Sequence, residues 1–143
     1  MADIQNIQRN RLQAGFTLIE MLIVLAIIGM IMALVGPRVL NYLGESKIKA
    51  TKIQIDSLSA ALDLYYLDVG RYPSSAEGLP ALVQKPASVQ SWNGPYLRGG
   101  NVPNDSWGRL FLYRFPGQHA PFDLYSLGPD GREGSNNVSN WKR

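Results

Sequence analysis

Glu20 is the residue of this chain that most needs a partner, because it is the only charged side chain between Phe16 and Pro37. A carboxylate at the middle of a membrane helix costs about 2.5–3.5 kcal/mol on insertion scales, and less near the boundary. A cation brought by another chain would offset that cost; the plainer alternative is a Glu that snorkels to the interface. The other chemically capable side chains stand alone. His119, the single histidine, falls in the turn sequence PGQHAP and reads as an exposed, idle imidazole. Pro129-Asp130-Gly131 reads as a turn. With no cysteine there is no disulfide, Cys-based zinc site or thiol nucleophile. No serine lies in G-x-S-x-G, and no H-E-x-x-H motif or P-loop is present, so the sequence does not read as an enzyme.

The element that carries Glu20 is FTLIEMLIVLAIIGMIMALVG, residues 16–36. At ~1.5 Å per helical residue it reaches about 31 Å, enough to cross a bilayer core once. It is longer than the ~7–15-residue core of a secretory signal peptide, and no A-x-A site follows it. Before it come fifteen residues, a largely polar segment with Arg9 and Arg11 that resembles the charged front of a targeting segment. Charge counting points the other way for topology, since Arg38, Lys47, Lys49 and Lys52 outnumber Arg9 and Arg11.

Gly36-Pro37 predicts a kink or melted turn, because proline lacks an N–H and crowds the carbonyl of Ala33. Beyond it Ile48, Thr51, Ile55, Leu58, Leu62, Tyr65 and Val69 recur at three- and four-residue spacing, the stripe of an amphipathic helix facing a core. Gly70 ends that helix, followed by Pro73. A loop rich in Gly, Pro, Ser and Asn then runs to Gly108, held by Trp92, Tyr96, Leu97 and Trp107, with a short helix expected over residues 75–84 and Ser75 as its N-cap. LFLYRF at 110–115 and FDLYS at 122–126 predict an antiparallel hairpin, with a short strand near 139–141. The 14 Lys+Arg against 11 Asp+Glu give +3, scattered along the chain, which does not suggest a nucleic-acid surface.

Gly15-Phe16-Thr17-Leu18-Ile19-Glu20 ahead of sixteen uncharged residues resembles the processing motif of type IV pilins and pseudopilins. Tyr66-Leu67-Asp68-Val69-Gly70-Arg71-Tyr72-Pro73, Glu77-Gly78-Leu79, Trp92-Asn93-Gly94-Pro95-Tyr96-Leu97, Asp105 with Trp107-Gly108, and Tyr125-Ser126-Leu127-Gly128 with Asp130-Gly131 resemble, in order and spacing, the general secretion pathway protein G family, the major pseudopilins of type II secretion. Ser106 departs from the proline usual there and is expected only to loosen the turn.

The resemblance implies an α+β, type IV pilin-like fold. Its parts are a leader at 1–15, a transmembrane or filament-core helix at 16–36, its amphipathic continuation at 37–69, and a periplasmic αβ loop, small antiparallel sheet and C-terminal loop at 70–143. It implies cleavage between Gly15 and Phe16 by a prepilin peptidase, with methylation of the new Phe16 amine; glycine leaves the backbone open to the protease. It implies single-pass residence in the inner membrane, with Glu20 pairing the amine of a neighbouring copy as subunits stack into a helical homopolymer. Minor pseudopilins and an inner-membrane assembly platform would be the other partners. Calcium is implied too, held by the Leu127 carbonyl and the side chains of Asp130, Asn137 and Ser139. Two departures bear on it: the loop between Gly131 and Val138 is short, and Asn137 replaces the usual Asp, so one ligand charge is missing. A type IV pilus subunit and a membrane-tethered periplasmic binding domain are the rival readings.

Overall fold

The computed structural model describes residues 15–142, so the expected leader lies outside the described residues except for Gly15. One 52-residue helix, α1 (Leu18–Val69), dominates the chain. A single 3-10 turn (Leu79–Leu82) follows, then strands β1 (Leu112–Arg114), β2 (Asp123–Ser126) and β3 (Val138–Ser139). The chain divides into two compact units, residues 1–40 and 41–143.

In the first unit the helix buries nothing: Leu18, Met30, Leu34 and Leu40 are each at least 70% exposed. It is long and apolar enough to cross a membrane. The expected melted turn at Gly36-Pro37 does not form: Pro37 lies inside continuous helix. A proline removes one hydrogen bond from the ladder, and the helix continues on both sides of it.

The second unit has a conventional core. Of the predicted stripe, Thr51, Ile55, Leu58, Leu62 and Tyr65 are buried, joined by Ala61. Val69 packs at its margin, while Ile48 remains 41% exposed. Against this face lie Leu79 and Leu82 from the 3-10 turn, Leu124 and Val138 from the sheet, and Phe111 and Phe122 from just before β1 and β2. The predicted hairpin forms in antiparallel register, Leu112 opposite Tyr125 and Arg114 opposite Asp123. β3 adds to the other side of β2, with Ser126 opposite Val138. Each strand is shorter than predicted. Past β3 the Asn140 side chain continues the ladder, its Oδ1 accepting from Leu124 N at 3.0 Å and its Nδ2 donating to the Phe122 carbonyl at 2.9 Å.

The helix expected at 75–84 contracts to one 3-10 turn without a side-chain cap. Ser75 is occupied elsewhere: its Oγ donates to the Phe115 carbonyl and accepts from Phe115 N, both at 2.9 Å, pinning the loop to the sheet. Ser74 and Glu77 instead make a reciprocal pair in which Ser74 N donates to Glu77 Oε2 and Glu77 N to Ser74 Oγ. The Arg71 guanidinium grips Glu77 through two bonds of 2.7 and 2.8 Å, holding its carboxyl far below the usual carboxylate range. As predicted, the aromatic residues order the loop: Trp92 Nε1 donates to the Ala81 carbonyl, and Tyr96 bonds Asp68 on α1.

Candidate functional site

Two regions carry the side chains singled out by sequence. At the start of α1, Glu20 already has a partner within its own chain. Thr17 Oγ1 accepts from Glu20 N at 3.2 Å, and Thr17 N donates to Glu20 Oε2 at 3.4 Å. This is a capping box: the first turn of a helix leaves N–H groups unpaired, and a Thr/Glu pair three residues apart covers two of them while placing the acid at the positive end of the helix dipole. The T-x-x-E pattern was in the sequence. Gly15 and Phe16 precede the helix, and Phe16 is 78% exposed.

The second region is the C-terminal loop. Leu127 is half-buried, and Gly128 and Gly131 hold φ of +72° and +68°, which only glycine adopts without strain. Asp130 is exposed and accepts from Arg132 N at 3.4 Å and Asn136 Nδ2 at 3.1 Å, bonds that hold its carboxyl below the ordinary value. Ser139 is buried; its Oγ accepts from Lys142 N at 3.3 Å and its carbonyl accepts from the Lys52 ammonium at 2.8 Å. Asn137 Oδ1 is buried with no hydrogen-bond partner.

These four fit calcium poorly. Calcium takes six to eight oxygens and gains affinity with ligand charge, and only Asp130 is charged. Asn137 and Ser139 open into a cleft of ≈ 450 Å³ that Lys49, Lys52 and Lys142 also line, and Leu127 and Asp130 are not among its walls. Three ammonium groups repel a divalent cation. The orphaned Asn137 oxygen and the exposed Asp130 carboxylate are acceptors of the kind such an ion seeks, but they do not share a cleft.

What closes the loop is a network that sequence reading missed. Asp105 is 5% exposed, and its Oδ1 accepts from Trp107 N at 2.9 Å and Arg109 N at 2.8 Å. Its Oδ2 accepts from the Ser126 hydroxyl at 2.5 Å, and Ser126 Oγ accepts in turn from Gly128 N at 3.1 Å. Burial pushes the Asp105 carboxyl up, but these donors and the Arg109 charge outweigh it, and the group sits below its ordinary value. Ser106, expected only to loosen the turn, fastens it to α1. Its N–H donates to Thr51 Oγ1 at 3.3 Å, a bond proline could not make, and Thr51 Oγ1 donates to Ser106 Oγ at 2.9 Å.

His119 is not idle. Its ring stacks on Trp141 at 4.4 Å, nearly parallel at 7°, and Nδ1 lies 3.0 Å from Asp123 Oδ2. Asp123 also accepts from the backbone N–H groups of Gln118, His119 and Ala120, so the turn is built around a buried anion. Neither the distant Trp141 nor these backbone donors leave a local pattern. Among the described residues, no group of three or more His, Asp or Glu side chains could hold a metal ion.

A long helix, apolar in its first part and carrying a small antiparallel sheet on its last turns, is the type IV pilin-like arrangement of filament subunits. Its structure resembles that of the major pseudopilin from the type 2 secretion system of enterohaemorrhagic Escherichia coli, with a TM-score of 0.64 and 31% identity over 71% of this chain and 87% of that one. The prokaryotic N-terminal methylation motif matches residues 10–36. The chain belongs to the type II secretion system (T2SS), protein G family, which matches residues 38–141. It is 43% identical to the type II secretion system core protein G of Pseudomonas aeruginosa, over 93% of this chain and 98% of that protein. It is 36% identical to that of Vibrio cholerae, over 94% and 95%.

Proposed function

We propose that this chain is the major pseudopilin of a type II secretion system, the repeating subunit of the pseudopilus that drives export of folded proteins across the outer membrane. The observation that carries this is a wholly exposed apolar helix bearing one acid at its head, joined to a soluble unit of the protein G family. A helix that is apolar on all sides is stable only in lipid or among like helices. Packing the same surface of each copy against a different surface of the next gives an open helical polymer. The role is structural and calls for no catalysis.

The leader is cut between Gly15 and Phe16 by a prepilin peptidase, and the Phe16 amine is methylated. The subunit waits in the inner membrane with its C-terminal unit in the periplasm. The assembly platform then passes it into a polymer that also contains minor pseudopilins. Glu20 acts as the register check. In a lone subunit its carboxylate is satisfied by the Thr17 N–H; in the polymer it faces the amine of a neighbour, and at low dielectric that charge pair is much the stronger contact. A copy docked out of register leaves both charges without a counter-ion.

Mass spectrometry of the membrane-extracted protein should give a chain beginning at methyl-Phe16. Glu20→Gln keeps the capping geometry and loses the charge, so it should be processed and inserted normally yet fail to enter filaments. Filaments and secretion at parental levels from that variant would rule out the register check.

A further inference from the structure

We propose that Arg109 is the resident cation of the C-terminal loop, and that its guanidinium, clamped between buried Asp105 and the 128–131 turn, closes this loop without a bound divalent ion. Arg109 reaches the loop from a fixed base. Its N–H donates to Asp105 Oδ1 and its carbonyl accepts from Asp105 N at 2.7 Å, a tight turn that leaves the side chain free to cross over. Nη2 donates to the Gly128 carbonyl. Nη1 packs against Gly131 so closely that a methyl group there would collide with it, and a methyl on Gly128 would strike the Asn136 carbonyl. Nε lies 3.7 Å from Asp105 Oδ2, an electrostatic contact too long for a hydrogen bond, which is why that nitrogen is buried without a hydrogen-bond acceptor. The guanidinium carbon stands 5.8 Å from the centre of the Trp107 ring, within cation–π range.

The contacts form a closed circuit. Asp105 binds the Ser126 hydroxyl, Ser126 binds Gly128 N, the Gly128 carbonyl binds Arg109, and Arg109 returns to Asp105. A positive charge therefore already sits on a carbonyl of the turn where a metal would have to act, and its counter-ion is buried beside it. The planar fork suits this task, since one nitrogen can face a carbonyl while another faces the carboxylate; a lysine ammonium cannot hold both directions. On the loop's outer side the Asn136 amide donates to Asp130, occupying a carboxylate oxygen that could otherwise face an ion.

The test is thermal unfolding of the full chain in detergent micelles, followed by tryptophan fluorescence. All three tryptophans, Trp92, Trp107 and Trp141, lie in the soluble unit, so the signal reports that unit alone. The parent should melt at one temperature in millimolar calcium and in EGTA. Arg109→Met should melt lower by more than about 4 °C in both, and Arg109→Lys should recover only part of the loss. A parent that melts lower in EGTA than in calcium, or an Arg109→Met protein indistinguishable from the parent, overturns the proposal. Should Arg109→Met fail to fold, the parent's melts and calorimetric titration of calcium into the parent still decide: saturable binding heat counts against the clamp, and its absence supports it.

Discussion

Removing the Asp105 carboxylate should unfold the soluble unit more readily than removal of any exposed charge. The side chain is fully buried and serves four groups at once: Trp107 N, Arg109 N, the Ser126 hydroxyl and the Arg109 guanidinium. In Asp105→Ala two backbone donors lose their acceptor, at about 1–3 kcal/mol for each one left dry. Arg109 is about one-third exposed, so losing its counter-ion adds only about 0–1 kcal/mol. The Ser126 hydroxyl can rotate toward another acceptor and is counted as nothing. The sum is roughly 2–7 kcal/mol, and even about 3 kcal/mol lowers Tm of a unit of about 100 residues by on the order of 15 °C. Asp105→Asn retains an Oδ1 acceptor for both backbone donors but replaces Oδ2 by an amide N–H group facing the Ser126 hydroxyl and the Arg109 guanidinium, so it should cost less than Asp105→Ala, about 1–2 kcal/mol. Urea unfolding monitored by tryptophan fluorescence gives both numbers. If Asp105→Asn is as damaging as Asp105→Ala, the Oδ2 contacts and the charge, not the two backbone donors, carry the stability. An Asp105→Ala cost under about 1 kcal/mol would show that the backbone donors find other partners and that the carboxylate is not what holds the loop.

Acid should destabilise the same unit. Glu77 is held down by Arg71, while Asp105 and Asp123 are held down by hydrogen bonds that outweigh burial, so all three lie below their ordinary values of 4.5 and 3.8. A depressed carboxyl contributes its stability fully above the unfolded value and loses it as pH falls toward the folded one. Melting temperature should therefore hold steady from about pH 7 to about pH 5 and fall progressively below about pH 4.5; a rise on acidification through that range would contradict the assignment. Ser106→Pro should cost about 1–3 kcal/mol by removing the N–H that bonds Thr51 and leaving a buried hydroxyl short of a partner, whereas Ser106→Ala keeps that N–H and should cost less. Equal urea midpoints for the two variants would show that the bond contributes nothing.

The parts legible in the sequence are those whose information is periodic or local. The stripe from Thr51 to Tyr65 lands in the core because helical spacing alone aligns it. The hairpin follows from two aromatic runs separated by turn residues. The capping box at Thr17 and Glu20 is equally local, yet the expectation of an unpartnered Glu20 passes over it. What else escaped was long-range. Nothing near Arg109 says that its guanidinium will meet Gly128, nor does PGQHAP say that Trp141 will cover His119. Ser75 was read as a helix cap because a hydroxyl before a short apolar run suits that role, but Phe115, forty residues away, offered both a donor and an acceptor. At Pro37 the expected melted turn is absent, and the helix runs on through one missing bond.

The bare surface of the first unit, exposed around its whole circumference from Leu18 to Leu40, decides where a fibre built from this chain can lengthen. Such a rod cannot cross water to reach a distant tip, so newcomers must enter sideways at the end still rooted in lipid. Supply is then two-dimensional, governed by lateral diffusion and copy number in the bilayer. A piece that snaps off can neither regrow nor hand its protomers back, since both outcomes would strand a greasy cylinder in solvent.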